Sequence, residues 1–136
     1  MKEQLILFET AKLAKKKWFD WECRYIFDEE GIIDKLADRI GLEFTQNSRC
    51  AKNHFAVPTQ SLLQDWLRKK YNCIVEPIFL KEAKDNYISF IVTVDYYGKN
   101  FKIPQKEEED FRSPKRHSIY EEALEEGLYE ALKLIK

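Results

Sequence analysis

The chain predicts an α+β fold, a small antiparallel three-stranded sheet packed with three helices in the late order α-β-β-β-α. Three observations carry this. The stretch Ser118 to Lys136 has apolar residues at helical spacing, the stretch Ile88 to Tyr96 places apolar residues at every second position, and Pro58-Thr59 opens a second helical pattern ahead of the strands. No internal repeat and no long linker divides the 136 residues. One domain over 1–136 is therefore expected, large enough to bury about two-thirds of its unfolded surface.

From Glu3 to about Trp18, Leu7, Phe8, Ala11, Ala14 and Trp18 fall on one helical face, with Glu9, Lys12 and Lys16 away from it. The next stretch, Trp21 to Phe27, is aromatic with polar residues interleaved, and Asp28 to Gly31 has turn chemistry, so a short strand and hairpin are expected. Asp34 to Ile40 reads as a helical turn or two before Gly41, and Thr45 to Asn53 as a polar loop. The next helix contains Leu62, Leu63, Trp66, Leu67 and Tyr71, with Thr59 as its cap and Asn72 as its stop.

Cys73 to Leu80 is extended, and Pro77 within it, having no N–H, argues for a sheet edge. Ile88, Phe90, Val92, Val94 and Tyr96 form one face of the next strand, and Phe101 and Ile103 a short third strand ended by Pro104. Residues 105–117 are nearly all charged or polar and predict a mobile loop. In the last helix Ser118 and Glu121 have the spacing of a capping box, the acids crowd the early turns, and Lys133 and Lys136 sit at the end. Gly127 in its middle costs roughly 1 kcal/mol against alanine and marks a place where another element packs on the backbone.

The balance of charge narrows function. With 23 basic and 24 acidic residues the formal net charge is −1, so neither nucleic acid nor an anionic membrane gains a strong global attraction. The apolar run Leu5 to Phe8 is too short for a signal-peptide core or a membrane span. Three well-separated cysteines, Cys23, Cys50 and Cys73, without a CxxC pair fit a reducing compartment, and a cytoplasmic protein is expected.

The catalytic inventory is thin. Cys50 and His54, four apart in a polar loop, are the residues that could make a nucleophile and its base or half of a metal site, yet a structural zinc site needs four ligands in close pairs. There is no glycine-rich phosphate loop, no GxSxG and no HExxH. No cofactor and no metal are expected, and the reading leans away from an enzyme. Basic residues gather at Lys12, Lys16, Arg68, Lys69, Lys115 and Arg116. Most of them end helices, where cations are favoured anyway. The element order from Thr59 onward is similar to that of double-stranded RNA-binding domains, but Glu121 and Glu122 stand where that family has a lysine-rich helix start.

Three blocks carry a closer likeness: Phe8 to Lys15 (FETAKLAK), Ala56 to Arg68 (AVPTQSLLQDWLR) and Tyr120 to Ile135, which opens YEEALEEGL. Together they resemble a group of small proteins encoded by phages, prophages and mobile elements of gut Bacteroidetes. That resemblance implies the fold and a bacterial setting and brings no activity with it. It departs at one informative place, because the group often has a glycine near the end of the first helix and this chain has Lys17-Trp18. The expectation is a non-enzymatic protein acting through an unknown protein partner or as a homodimer, with Trp21, Tyr25 and Tyr97 as interface anchors. Double-stranded RNA or other nucleic acid is the alternative partner, and a cysteine-dependent enzyme the last one.

Overall fold

The computed structural model of the chain describes residues 4–35, 44–82, 87–97 and 110–135. Over these residues the protein is α+β, with two three-stranded antiparallel sheets in place of the single sheet expected. It divides into two compact units, 1–63 and 64–136, and the division falls within the second helix.

In the first unit, residues 4–6 are extended. Leu5 bridges Thr59 and the Ile6 N–H donates to the Pro58 carbonyl, so the helix begins later than Glu3. Helix α1 runs Phe8–Lys16 and buries Thr10, Ala11 and Ala14. Leu7 and Trp18, expected on its apolar face, are exposed, because Leu7 is the extended residue before the helix and Trp18 lies beyond its end.

Strands β1 (Tyr25–Phe27), β2 (Ile33–Lys35) and β3 (Phe55–Val57) form the first sheet in the order β2-β1-β3. The hairpin between β1 and β2 is built by Asp28, whose carboxylate Oδ1 accepts the N–H groups of Glu30 and Ile32, both at 2.9 Å, while Gly31 takes a φ of +83°. A Cβ on Gly31 would also meet the Phe8 ring at 3.0 Å. That ring stands edge-on to Phe27 and Phe55, with centroids 5.4 and 5.7 Å away, and so seats α1 on this sheet. Ile33, Asp34 and Lys35 are strand residues here, and the rest of the helical turn expected over 34–40 lies outside the described residues.

Loop 44–54 is polar as expected, yet ordered by one buried amide. Asn47, in a 3₁₀ turn Asn47–Arg49, donates from Nδ2 to the Phe19 carbonyl at 2.7 Å and accepts the Ala56 N–H at Oδ1 at 2.9 Å. Beside it Asp20 Oδ1 accepts the Ser48 N–H at 2.7 Å and its Oδ2 the Gln46 amide at 3.2 Å. Burial raises the Asp20 carboxyl, but the Ser48 and Gln46 hydrogen bonds and Arg49 outweigh it and leave the group below its ordinary value.

Helix α2 is Gln60–Tyr71. Thr59 Oγ1 accepts the Leu62 N–H at 3.2 Å as its cap, and Asn72 ends it with a φ of +50°. In the second unit, strands β4 (Cys73–Glu82), β5 (Tyr87–Tyr96) and β6 (Phe111–Arg112) pair in the order β4-β5-β6. Val92 exchanges hydrogen bonds with Ser113, its N–H to Oγ and its carbonyl from the Ser113 N–H, both at 3.0 Å. Its partner Pro77 on the other side therefore occupies a non-hydrogen-bonded pair with the ring nitrogen facing outward, which is how β4 accommodates a proline at the sheet edge.

The third strand of this sheet lies within the segment expected to be a mobile loop. Phe111–Arg112 pair with β5, and His117 closes a bridge to Phe90 through bonds of 2.7 and 2.8 Å. The expected strand at Phe101 and Ile103 falls outside the described residues. Because the bridge holds His117 extended, helix α3 begins two residues after Ser118, at Tyr120, and runs to Leu134. Ile119 is its N-cap and no side chain caps it, so the Ser118–Glu121 capping box does not form. Of the apolar residues that recur at helical spacing here, Ala123, Leu124, Leu128, Ala131, Leu132 and Ile135 are buried and Tyr120 is exposed. Gly127 lies against β4 and β5, where an added Cβ would stand 2.7 Å from Val75 Cγ1 and nearer still to Val92 Cγ2.

Candidate interaction surface

Helix α1 ends on a left-handed residue. The Trp18 N–H donates to the Lys15 carbonyl at 3.1 Å and the Phe19 N–H to the Ala14 carbonyl at 3.0 Å, while Trp18 takes a φ of +68°. Glycine is the usual occupant of that position, because a Cβ in the left-handed region costs roughly 1–2 kcal/mol. Phe19, the next residue, is fully buried, as is Ala14, whose carbonyl its N–H reaches. The chain must therefore turn here, and the residue at the turn is forced outward. Trp18 is 85% exposed, against 1% for Trp66.

Its neighbours are basic and aromatic. Lys16 is exposed, and Lys17 is half-buried as the helix C-cap. Lys15 is committed to structure, its ammonium donating to the carbonyls of His54 at 2.7 Å, Ala51 at 2.9 Å and Lys52 at 3.4 Å and lying 5.4 Å from the Phe55 ring centre. Further along, Trp21 and Tyr25 are half-buried, and the Arg24 guanidinium sits 5.4 Å from the ring of exposed Phe44. Tyr97, the third anchor expected from the sequence, is half-buried in the second unit and donates its N–H to the Asn72 carbonyl. Trp18 itself is a residue the sequence placed on the apolar face of the helix; the signal that could have found it is the missing glycine after Lys17.

Three of the six basic residues set aside for nucleic acid, Lys12, Arg68 and Lys69, are drawn into local pairs. Lys12 bonds Glu9 at 3.3 Å and lies 5.0 Å from the Phe8 ring centre. Arg68 and Lys69 both pair with Asp65, Lys69 at 2.9 Å, and the hydrogen bond from Lys69 is the leading cause that holds the Asp65 carboxyl below its ordinary value. Lys115 and Arg116 are exposed beside the His117 bridge.

The Cys50–His54 pair has the wrong electrostatics for a nucleophile. Burial pushes the Cys50 thiol up, against the opposing pull of Thr45 and the Lys15 ammonium, whereas an activated thiol is pulled down. His54 Nδ1 is buried with no hydrogen-bond partner among the described residues. The remaining histidine, His117, has Nε2 3.4 Å from Glu126 Oε2, close enough to pair when protonated but not aligned as a hydrogen bond. Among the described residues, no three histidines, cysteines or carboxylates are grouped to hold a metal ion, and no helix is long and apolar enough to cross a membrane.

Comparison with protein-family models, with curated proteins and with solved structures returned no match.

Proposed function

We propose that the chain is a non-enzymatic accessory protein of a phage or mobile element of a Bacteroidetes host, acting in the cytoplasm by binding a protein partner through Trp18. The observation that carries this reading is an indole 85% exposed on a backbone conformation that disfavours any side chain. An element that only had to end a helix would be served better by glycine. Strain kept at an exposed position is accounted for by what that side chain does outside the fold. Tryptophan is the strongest single anchor type at protein interfaces, and the exposed Lys16 beside it favours a partner whose apolar slot is rimmed by carboxylates.

A nucleic acid could also stack a base on such an indole. The local pairing of Lys12, Arg68 and Lys69, the bonding of Lys15 to loop carbonyls and the formal net charge of −1 favour protein over phosphate backbone. The test is quantitative affinity capture from a Bacteroidetes lysate with wild type and Trp18→Gly as paired baits, alongside sedimentation of each. Proteins retained by wild type and lost from the variant support the reading, as does a dimer that the variant abolishes. An identical retained set with an identical sedimentation profile contradicts it.

A further inference from the structure

Cys23 and Cys50 are 27 positions apart in sequence, yet the fold brings both to one residue, Thr45. Cys23 and Thr45 are partners in an antiparallel bridge, with N–H to carbonyl distances of 2.7 and 2.8 Å. Residues bonded in this way stand about 5.5 Å apart at Cα and project their side chains to the same side. Thr45 Oγ1 in turn lies 3.9 Å from Cys50 Sγ. Thr45 therefore stands next to both cysteines, its backbone bridged to Cys23 and its hydroxyl beside the Cys50 sulfur, while the Cys23 thiol donates to the Trp21 carbonyl at 3.4 Å. Cys73 is a strand residue of the other unit and is fully buried.

We infer that Cys23 and Cys50 form a vicinal thiol pair in space, a site at which a low-molecular-weight disulfide oxidises the protein to an intramolecular Cys23–Cys50 disulfide. Cys50 is the half-exposed member and meets the reagent first. Its thiolate attacks one sulfur of the reagent, giving a mixed disulfide on Cys50 and releasing one reagent thiolate. The Cys23 thiolate then attacks Cys50 Sγ, forming the internal bond and releasing the second reagent thiolate. The two protons from the cysteines go to the two leaving groups, so the protein loses two electrons and the reagent gains them. The product ties the 44–50 loop to the bridge residue Cys23, which lies between Trp21 and Tyr25.

Both thiols are held up, Cys23 to about 12 by burial and then by Cys50, so the reaction is slow near neutrality and accelerates with pH. The experiment exposes the native protein to oxidised glutathione at about pH 9, quenches with acid, and maps the peptides by mass spectrometry after alkylating free thiols in denaturant. The expected product has lost two hydrogens, links the peptides containing Cys23 and Cys50, and carries alkylated Cys73. With Cys23→Ser, Cys50 stops at the glutathione adduct. A wild-type protein that accumulates the Cys50 adduct with Cys23 still free, that links Cys73, or that loses no thiol while its denatured form oxidises, overturns the inference. The wild-type map decides even where the variant fails to fold.

Discussion

Replacing Gly127 by alanine sets two well-defined effects against each other. In an isolated helix the change gains roughly 1 kcal/mol, because glycine gives up more conformational freedom than alanine. In this fold the new methyl would stand 2.7 Å from Val75 Cγ1, 3.2 Å from Val92 Cγ1 and closer than either to Val92 Cγ2. Carbon atoms in contact settle at about 3.5–4.0 Å, so at least two methyl groups must retreat by roughly 1 Å. They belong to β-branched side chains with one preferred rotamer each, on neighbouring strands that are paired along their whole length. The helix itself is held on both sides of Gly127 by buried Leu124, Leu128 and Ala131. Overpacking of this kind costs about 1–3 kcal/mol and occasionally more. The crowding of three methyl groups puts this site at the upper end, for a net loss of about 2 kcal/mol after the propensity gain. At about 2.1 cal/mol/K per residue of unfolding entropy, 136 residues convert this to a fall of roughly 7 °C in Tm. Calorimetry or urea unfolding of Gly127→Ala reads it directly. The double variant Gly127→Ala with Val92→Ala should lose less than the two single losses added together, since the second change removes the nearest methyls. A Gly127→Ala protein that melts higher than wild type would refute the close approach of α3 to the sheet.

Other outcomes follow from single side chains. Asn47→Ala orphans the Phe19 carbonyl and the Ala56 N–H in a buried site, and should cost about 2–4 kcal/mol in urea unfolding. Thr59→Ala removes the cap of α2 and should cost about 1 kcal/mol, with Thr59→Ser restoring most of it. Asp20→Asn tests the acid limb of stability. The folded Asp20 carboxyl is held below its unfolded value, so its contribution is present above about pH 4 and is lost as pH falls through the folded value. The stability gap between wild type and Asp20→Asn should therefore close on acidification, and a gap independent of pH would contradict the assignment.

Much of the fold was legible because local chemistry and tertiary placement agree. Thr59, Asn72 and Pro77 each do what their covalent structure allows: a hydroxyl caps, an asparagine accepts a left-handed φ, and a proline turns its ring nitrogen outward. The strand over 88–96 and the buried stripe of the last helix are of the same kind, although burial in the strand does not alternate: Ser89, Ile91 and Thr93 are buried along with Val92 and Val94. What was not legible depended on contacts distant in sequence. Ser118 and Glu121 have the spacing of a capping box, but the bridge from His117 to Phe90 keeps the chain extended past the serine. Strand β3 is three residues long, too short for any periodicity to announce, and exists because β1 lies alongside. Phe111–Arg112 pair with β5 within a charged run whose composition resembles a loop.

The candidate surface divides in the same way. Trp21 and Tyr25 were accessible to reasoning from residue type, and both are half-buried. Trp18 has helical spacing with Ala11 and Ala14, so pattern alone sends it into the core. Only the backbone reversal required by buried Phe19 turns it out. The thiol pair was hidden for a related reason, since Cys23 and Cys50 meet only through Thr45.

The central claim is that Trp18 serves contact with a partner and contributes little to folding, and one paired measurement on Trp18→Gly tests it: urea unfolding and partner capture from the same preparation. Loss of the small buried fraction of the indole and relief of the left-handed strain are each about 1 kcal/mol and opposite in sign. The account predicts stability within about 1 kcal/mol of wild type, against the 3–5 kcal/mol expected for Trp66→Ala, together with loss of the captured partner. A variant destabilised as far as Trp66→Ala, or one that retains every partner of the wild type, would contradict it.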